Sequence, residues 1–273
     1  MKRIISEIIL TLLLICVCWI EFGTLNYIGM GYEEKWVKFV PNAGQVELYF
    51  WKEADVSYVN VSIWFPTSGY NISSWGTPIF EGNNITINAE IWKWTSVTIP
   101  VFITRSNIYN LGNLSPGEYL FTFEVWEFPV KNINFTVFII ATIDFNPKTL
   151  NIRSKCESIL VRIELPESYS VAEINVLRMM LNNTVLPESE PIVIEDFDND
   201  GILNLMVNFN RTAIISYILT NVNTTKLFEE KFMVVALTIT GYLNDGKPFQ
   251  GAATITIMLP IPKSGFGRHR CQI

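Results

Sequence analysis

Runs of alternating apolar and polar residues constrain the fold of this chain more than any other feature. Between residues 27 and 141 these runs are rich in aromatic and β-branched side chains, and turn pairs such as Gly82-Asn83 and Pro116-Gly117 separate them. The runs are GQVELYFW, SYVNVSIWF, NITINAEIW, SVTIPVFIT, GEYLFTFEVW and INFTVFII. A period of two places successive side chains on opposite faces of a strand. Several short strands at this spacing predict an antiparallel β-sandwich.

A second set of strand-like runs lies between residues 143 and 259: DFNPKTLNI, SILVRIELP, VLRMMLNNTVL, FMVVALTITGYL and ATITIML. The pair Asp245-Gly246 between the last two runs predicts a hairpin turn. Residues 210–219, NRTAIISYIL, are apolar almost all round and begin with a residue suited to capping, which predicts one short buried helix.

The length of the chain after its N-terminal segment exceeds what one sandwich normally uses and suits two domains. The predicted fold class is therefore all-β. We expect two tandem antiparallel, immunoglobulin-like β-sandwich domains at 27–141 and 143–259, after an N-terminal hydrophobic helix. Residues 260–273 have no strand pattern and are expected to form a flexible tail.

The first 22 residues have the pattern of an export signal. Lys2 and Arg3 precede a largely apolar run at 4–20, and no small residues mark a cleavage site after it. The run is predicted to be either a signal peptide or a retained N-terminal membrane anchor, with a buried core helix as the alternative. With the positive end inside, everything after the run lies outside the cytoplasm. We therefore expect an extracellular or cell-surface location.

The stretch EDFDNDGILNLMVNF, at 195–209, has the spacing of a calcium loop. Ca²⁺ takes roughly six to eight oxygen ligands, and positions 1, 3, 5, 7 and 9 of such a loop supply them. These positions correspond to Asp196, Asp198, Asp200, the backbone carbonyl of Ile202, and Asn204. Position 12 is Val207 rather than glutamate and the flanks are strand-like, which favours a strand-loop-strand site of weak affinity over an EF-hand. The alternative is a solvated acidic turn that holds no metal.

Eight N-x-S/T sequons follow the export pattern, and together they predict glycosylation in a host that has the machinery. They are at Asn60, Asn71, Asn84, Asn113, Asn134, Asn182, Asn210 and Asn223. Only Cys156 and Cys271 lie in the exported part, and sequence alone leaves open whether they pair.

Several function classes find no support in the sequence. The formal net charge is -6 and no lysine or arginine cluster is present, so nucleic-acid binding has no electrostatic basis. The single histidine, His269, lies in the tail, which argues against a histidine triad on an ordered element. Paired carboxylates for glycoside hydrolysis stay open in principle, but nothing singles out a pair. The chain is predicted not to be an enzyme.

The tryptophans point to a possible sugar platform. Seven of the eight lie between Trp36 and Trp126, and Trp92 and Trp94 share one face of a strand because they are two residues apart. Exposed rings stack against sugars, whereas buried rings fill a core. The core interpretation is favoured, because the positions of these rings coincide with the expected inward phase of the strands.

Residues 110–137 resemble the closing hairpin of an immunoglobulin-like module of archaeal and bacterial surface proteins. The matching residues are Leu114, Pro116, Gly117, Tyr119, Phe121, Phe123, Val125, Trp126, Pro129, Val130, Lys131 and 135–137. The resemblance covers about 30 residues and identifies a building block, not an activity.

Residues 143–259 resemble a second module of such surface proteins, whose acidic loop is similar to the DxDxDG loops of FG-GAP-type repeats. The matching residues are Asp144, Pro147, 149–151, Ser154, Lys155, 163–167, Tyr169, 196–202, 205–207, Phe209, Arg211, Leu237, Thr238, Thr240, Gly241, Leu243, Asp245, Gly246, Pro248, Phe249 and Gly251. Asn204 departs from the aspartate usual at that position. The resemblance implies an extracytoplasmic β-sandwich.

The sequence therefore predicts a calcium-stabilised extracytoplasmic surface protein with a structural or adhesive role. Its expected partners are the membrane, through the N-terminal segment, and other surface proteins or glycans. The alternative is a carbohydrate-binding module that uses aromatic residues of the first domain.

Overall fold

The computed structural model describes residues 35–154, 157–197 and 199–259, and these residues form a predominantly β structure. The expectation of a β-rich chain is thus confirmed. The predicted N-terminal hydrophobic helix and the predicted tail lie outside the described residues. Ten strands precede residue 141: β1 (Trp36–Lys38), β2 (Val46–Glu53), β3 (Val56–Phe65), β4 (Tyr70–Ser74), β5 (Ile79–Glu81), β6 (Asn84–Trp94), β7 (Ile103–Gly112), β8 (Gly117–Val125), β9 (Phe128–Val137) and β10 (Ile139–Ile140).

Nine of these strands form two sheets. One sheet has the order β1-β6-β8-β9, with β4 and β5 also paired to β6, and the other has the order β2-β3-β7. Strands β6 and β8 are parallel, which corrects the expectation of a wholly antiparallel arrangement. The reason is that β7, which lies between them in sequence, belongs to the other sheet. The chain therefore returns to the first sheet in its original direction, as a parallel pair requires.

One buried cluster lies between these two sheets. Its side chains alternate with more exposed ones along each strand, as period two demands. In β6, for example, Ile85, Ile87 and Ile91 are fully buried, whereas Thr86 and Asn88 are only partly covered. The cluster consists of Val46, Val59, Val61, Ile63, Phe65, Ile85, Ile87, Ala89, Ile91, Tyr109, Leu111, Tyr119, Phe121, Phe123, Val125, Phe135 and Val137.

Eight further strands follow: β11 (Thr142–Asn146), β12 (Thr149–Asn151), β13 (Ser158–Glu164), β14 (Met180–Leu181), β15 (Val193–Glu195), β16 (Asn204–Asn210), β17 (Phe232–Tyr242) and β18 (Pro248–Met258). They form a sheet of order β11-β13-β16-β15 and another of order β10-β18-β17-β14, with β12 also paired to β18. Strands β10 and β12 run parallel to β18. Strands β17 and β18 form an antiparallel hairpin, so the turn predicted at Asp245-Gly246 is confirmed.

Two helices connect β16 to β17: α1 (Arg211–Asn221) and α2 (Thr225–Glu230). The predicted helix is confirmed as α1, and the Ala213 N–H donates to the side chain of Asn210 at its start (3.0 Å). The second helix was not predicted. It ends at Lys231, whose positive φ of 68° stops the helix.

A second buried cluster lies between these later sheets and also includes Ile214 and Ile218 of α1. Val137 belongs to the first cluster, whereas Ile139 and Ala141 belong to the second. The changeover between the two cores therefore falls a few residues before position 141. A hydrogen bond from the Tyr242 hydroxyl to Glu118 Oε1 (2.8 Å) joins residues that contact different cores.

Candidate functional site

The acidic loop joins β15 to β16, which are antiparallel neighbours with Glu195 opposite Asn204. The strand-like flanks predicted for this loop are confirmed. Gly201 has a φ of +93°, a backbone conformation that glycine adopts without strain. The sequence places a glycine where the chain must bend back towards β16.

Hydrogen bonds from the backbone close the loop around Asp196. Its Oδ1 accepts from the Asp200 N–H (3.2 Å) and its Oδ2 from the Gly201 N–H (3.0 Å). Asp200 Oδ1 accepts from the Ile202 N–H (2.8 Å). Such bonds stabilise an acidic turn without a metal. They also fix the positions of the Asp196 and Asp200 carboxylates within one short loop.

Asn204 has a different environment from the two aspartates. It is buried, its Oδ1 accepts from the Phe197 N–H (3.3 Å), and its Nδ2 donates to Glu164 Oε2 (3.1 Å). Both polar ends of the amide therefore contact protein groups. Asn204 ties the loop to β13, and its oxygen, which accepts one hydrogen bond, keeps a second lone pair.

Other members of the predicted ligand set also lie on this loop. Asp196, Asp200 and the carbonyl of Ile202 supply oxygen donors of the kind that Ca²⁺ prefers. Asp198 lies outside the described residues. Across the part of the chain that the structure covers, no group of three or more acidic, histidine or cysteine side chains is arranged to hold a metal.

A cluster of charged side chains contacts the start of the loop. The Arg162 guanidinium lies over the Phe197 ring, 3.4 Å from its centroid, and its Nη1 is 3.5 Å from Asp144 Oδ2. Lys148 Nζ lies 2.8 Å from the other oxygen of Asp144. These contacts fix Phe197 and so fix the start of the loop.

Trp92 and Trp94 do not point into the core, so the expected inward phase is wrong. The buried positions of β6 are the odd-numbered ones, and both rings are half-buried on the opposite face. The Trp92 indole N–H donates to Ser73 Oγ (3.0 Å), and the ring meets Trp126 edge-on at 4.9 Å. Trp94 is tilted by 54° against Trp36. The two rings therefore do not form a flat, free pair.

The sequence analysis missed a second set of outward-facing rings, which we call the outer aromatic face: Tyr49 and Trp51 of β2 and Tyr58 of β3. The Tyr49 and Trp51 centroids are 5.8 Å apart with planes 22° apart, and those of Trp51 and Tyr58 are 5.3 Å and 15° apart. Tyr49 is 65% exposed. The sequence could have indicated this surface. VELYFW places aromatic residues on both faces of the strand, and only one face can point into a core.

A groove of about 780 Å³ runs beside the outer aromatic face. Its walls are Tyr49, Trp51 and Ile108, and its polar lining is Asn60, Ser106 and Asn107. Asn60 Nδ2 donates to Ser62 Oγ (3.0 Å), which lies 2.8 Å from Ser106 Oγ. Amide and hydroxyl groups thus line the groove next to aromatic rings.

The eight sequon asparagines differ in exposure and in contacts. Six are exposed: Asn71, Asn84, Asn113, Asn134, Asn210 and Asn223. Four make local hydrogen bonds: Asn60 with Ser62, Asn182 with the Thr238 N–H, Asn210 at the start of α1, and Asn223 with Thr225. Cys156 and Cys271 lie outside the described residues.

The clearest pKa shifts belong to structural side chains. Burial raises the pKa of Tyr109 to about 12, and its hydroxyl donates to the Trp75 carbonyl. A hydrogen bond to Glu118 raises the pKa of Tyr242. Burial lowers the pKa of Arg211, which donates to the carbonyls of Asn151 and Ser154.

In comparisons with known proteins, no protein-family model, no curated protein and no solved structure matches this chain. Among the residues that the structure describes, neither helix has the length and apolar character needed to cross a bilayer. The predicted span at 4–20 lies outside those residues.

Proposed function

We propose that this chain is an extracytoplasmic surface protein with a structural or adhesive role, built from two consecutive immunoglobulin-like β-sandwiches. The observation that carries the proposal is the pair of separate buried clusters, each between two sheets, which follow one another along the chain with a changeover at 137–139. Consecutive cores joined by a short segment suit a stiff spacer.

The N-terminal residues support the location. Lys2, Arg3 and the apolar run at 4–20 have the order of an export signal or anchor, and the described residues all follow it. Six exposed sequon asparagines would be available to a glycosylation system outside the cytoplasm. The partners on this proposal are the membrane and other surface proteins or glycans.

Protease accessibility on intact cells tests the location. The full chain carrying a C-terminal epitope is produced in a host with an export pathway, and external protease is expected to remove the epitope without lysis. Substitution of Leu12 and Leu13 by arginine, which interrupts the apolar run, is expected to protect the epitope. An epitope that is resistant in both chains would overturn the location.

Calcium is proposed to stabilise the acidic loop through Asp196, Asp198, Asp200 and the carbonyl of Ile202. Asn204 stays the ninth-position candidate, and it also braces the loop because its amide bonds Phe197 and Glu164. The ion would offset repulsion between carboxylates that are close in sequence and would fix the start of β16. The role is structural, and no catalytic step is proposed.

Carbohydrate binding by the first half of the chain is the second candidate, and the outer aromatic face favours it. The three rings are nearly parallel and lie beside a groove lined by amides and hydroxyls. A sugar could stack on the aromatic surface and form hydrogen bonds with the groove. Tyr49→Ala is expected to abolish retardation of the full chain in gels containing soluble β-glucan, xylan or mannan. Trp94→Ala is the control that keeps retardation, and equal retardation of both variants would reject the outer aromatic face.

A further inference from the structure

An exposed apolar surface surrounds the loop between β6 and β7. We call it the β6–β7 patch, formed by Trp36, Trp64, Val97, Ile99, Val101 and Phe102. The segment was predicted to be a strand, SVTIPVFIT, but the strand begins only at Ile103. Val97 is 93% exposed, Phe102 78% and Ile99 69%. Side chains of this kind normally avoid water, so clustered exposure at this level marks an interaction surface.

The patch is continuous rather than a set of scattered residues. Trp36, Val97 and Ile99 line one shallow groove of about 640 Å³. At the other end, the rings of Trp64 and Phe102 are 5.9 Å apart. Val101 lies next to Phe102 in sequence and is itself exposed. One apolar surface therefore extends from β1 across the loop to the end of β3.

Backbone contacts hold the loop in place. The Ile99 carbonyl accepts from the Ser68 N–H (3.0 Å), and the Ile99 N–H donates to Ser68 Oγ (3.1 Å). Thr98 packs closely over Gly69, where an added Cβ would lie 2.2 Å from Thr98 Cγ2. The loop thus satisfies backbone groups at its base while its apolar side chains point outwards.

The N-terminal segment joins the described part of the chain at the base of this patch. The Lys35 N–H donates to Thr95 Oγ1 (3.0 Å), and the Lys35 carbonyl accepts from the Thr95 N–H (3.1 Å). The 34 residues before Lys35 include the apolar run at 4–20. Residues 21–34 span at most about 50 Å when fully extended. A membrane that holds the run is therefore within reach of the patch.

The composition of the patch favours a lipid surface as its occupant. Tryptophan rings concentrate at the boundary between headgroups and acyl chains, and aliphatic and phenylalanine side chains insert below it. Two exposed lysines lie close to Trp36 and Trp94 in the chain: Lys35 directly precedes β1, and Lys93 of β6 lies opposite Val37. Their charge suits anionic headgroups.

We propose that the β6–β7 patch docks on the outer surface of the bilayer in which residues 4–20 are anchored. This proposal rests on the proposed anchor and goes beyond it, because it assigns a second, peripheral membrane contact to an ordered loop. The contact orients the first pair of sheets on the membrane, with Val97, Ile99 and Phe102 inserted. A tether alone would leave that orientation free.

Tryptophan quenching by brominated lipids tests the proposal. The full chain with Trp19→Phe, which removes the tryptophan of the apolar run, is reconstituted in vesicles of phosphatidylcholine and phosphatidylglycerol with or without brominated acyl chains. Quenching is expected for this chain, and most of it is expected to be lost on the combined substitutions Val97→Ser, Ile99→Ser and Phe102→Ser. The matched control combines Ile79→Ser, Phe128→Ser and Ile140→Ser, which are exposed apolar residues away from the patch, and keeps the quenching.

Flotation of the same vesicles distinguishes the docking proposal from the anchor proposal. Chains that float, with equal quenching in the patch and control variants, would reject the patch and leave the anchor. Chains that fail to float would reject the anchor and the docking proposal together. Absent quenching, with self-association in detergent that the patch substitutions remove, would assign the surface to a second copy of the chain. Unchanged far-ultraviolet circular dichroism checks that the variants are folded.

Discussion

Residues 35–137 contain seven tryptophans, whereas residues 139–259 contain none. The two cores are nevertheless built from the same kinds of residue, mainly valine, isoleucine, leucine and phenylalanine. None of these seven tryptophans is buried, and Trp36 and Trp64 are clearly exposed. Trp75 and Trp126 pack against the first core, whereas Trp36 and Trp64 lie where solvent can reach them.

The second half contains several structural contacts made by charged groups and hydrogen bonds. Asp144 contacts both Arg162 and Lys148, and Asp196 gathers backbone N–H groups. The buried Arg211 bonds two carbonyls of the chain near β12. On the proposals above, recognition belongs to the first half, and the second half is braced internally.

The largest effects are expected from matched core truncations, which test whether the halves are independent. Phe123→Ala in the first core and Phe209→Ala in the second each remove a fully buried ring. Each is expected to lower the free energy of unfolding by about 3–5 kcal/mol, but only for its own half. Amide hydrogen exchange measures the effect: in each variant, the exchange rates of the β3 and β6 amides are compared with those of the β13 and β17 amides. Faster exchange in both halves from either variant would show one cooperative unit.

Arg211→Met tests the bracing assigned to the second half. It leaves the Asn151 and Ser154 carbonyls without their donor, and a loss of about 2–4 kcal/mol is expected. Arg153→Met is the control, because Arg153 is exposed, and it is expected to change stability by less than about 0.5 kcal/mol. Urea unfolding measures both, and equal losses would contradict a bracing role for Arg211.

Calcium is expected to stabilise the second half alone. At 10 mM Ca²⁺, a dissociation constant of about 10⁻⁴ to 10⁻³ M gives a stabilisation of about 1.4–2.7 kcal/mol relative to chelator. Asp198→Ala is expected to remove that difference, whereas Asp55→Ala, on an exposed turn of the first half, is expected to keep it. Thermal melts with calcium and with EGTA are the measurement. A midpoint that does not respond to calcium in the native chain would leave a metal-free acidic turn.

The smallest effect is expected from alkaline pH, and it concerns the first half. The pKa of Tyr109 is raised in the folded state, so its contribution to stability is complete below about pH 10 and is lost as the pH rises through about 12. At pH 11 the native chain is expected to lose about 1 kcal/mol more than Tyr109→Phe. Unfolding of the two chains at pH 8 and pH 11 measures the difference, and parallel losses would contradict it.

Local patterns in the sequence predicted much of this fold correctly. The alternation at 57–65, 84–92 and 158–164 predicted strands that the structure contains, and capping chemistry predicted α1. The sequence also indicates which face of β6 points into the core. Ile85, Ile87 and Ile91 alternate with polar residues, and this alternation is better evidence of the inward face than the two tryptophans are.

The errors arose where pairing partners decide the structure. SVTIPVFIT alternates like a strand, but residues 96–102 pair with no neighbouring strand, and Pro100 has no N–H to donate. The parallel pairing of β6 with β8 depends on β7 joining the other sheet, which no local pattern encodes. The spacing around Asn204 could not predict its hydrogen bond to Glu164, because Glu164 lies on β13, 40 residues earlier in the chain.

The pairing of β18 with β10 sets an order for assembly. Ile139 lies opposite Phe249, so two strands at opposite ends of the second half must meet before its sheet is complete. The first half has no such dependence, because its sheets use only residues before 138. As the polypeptide emerges from the ribosome or translocon, the N-terminal unit is thus able to mature early. The sheet that contains β10 has to wait until β18 has been made.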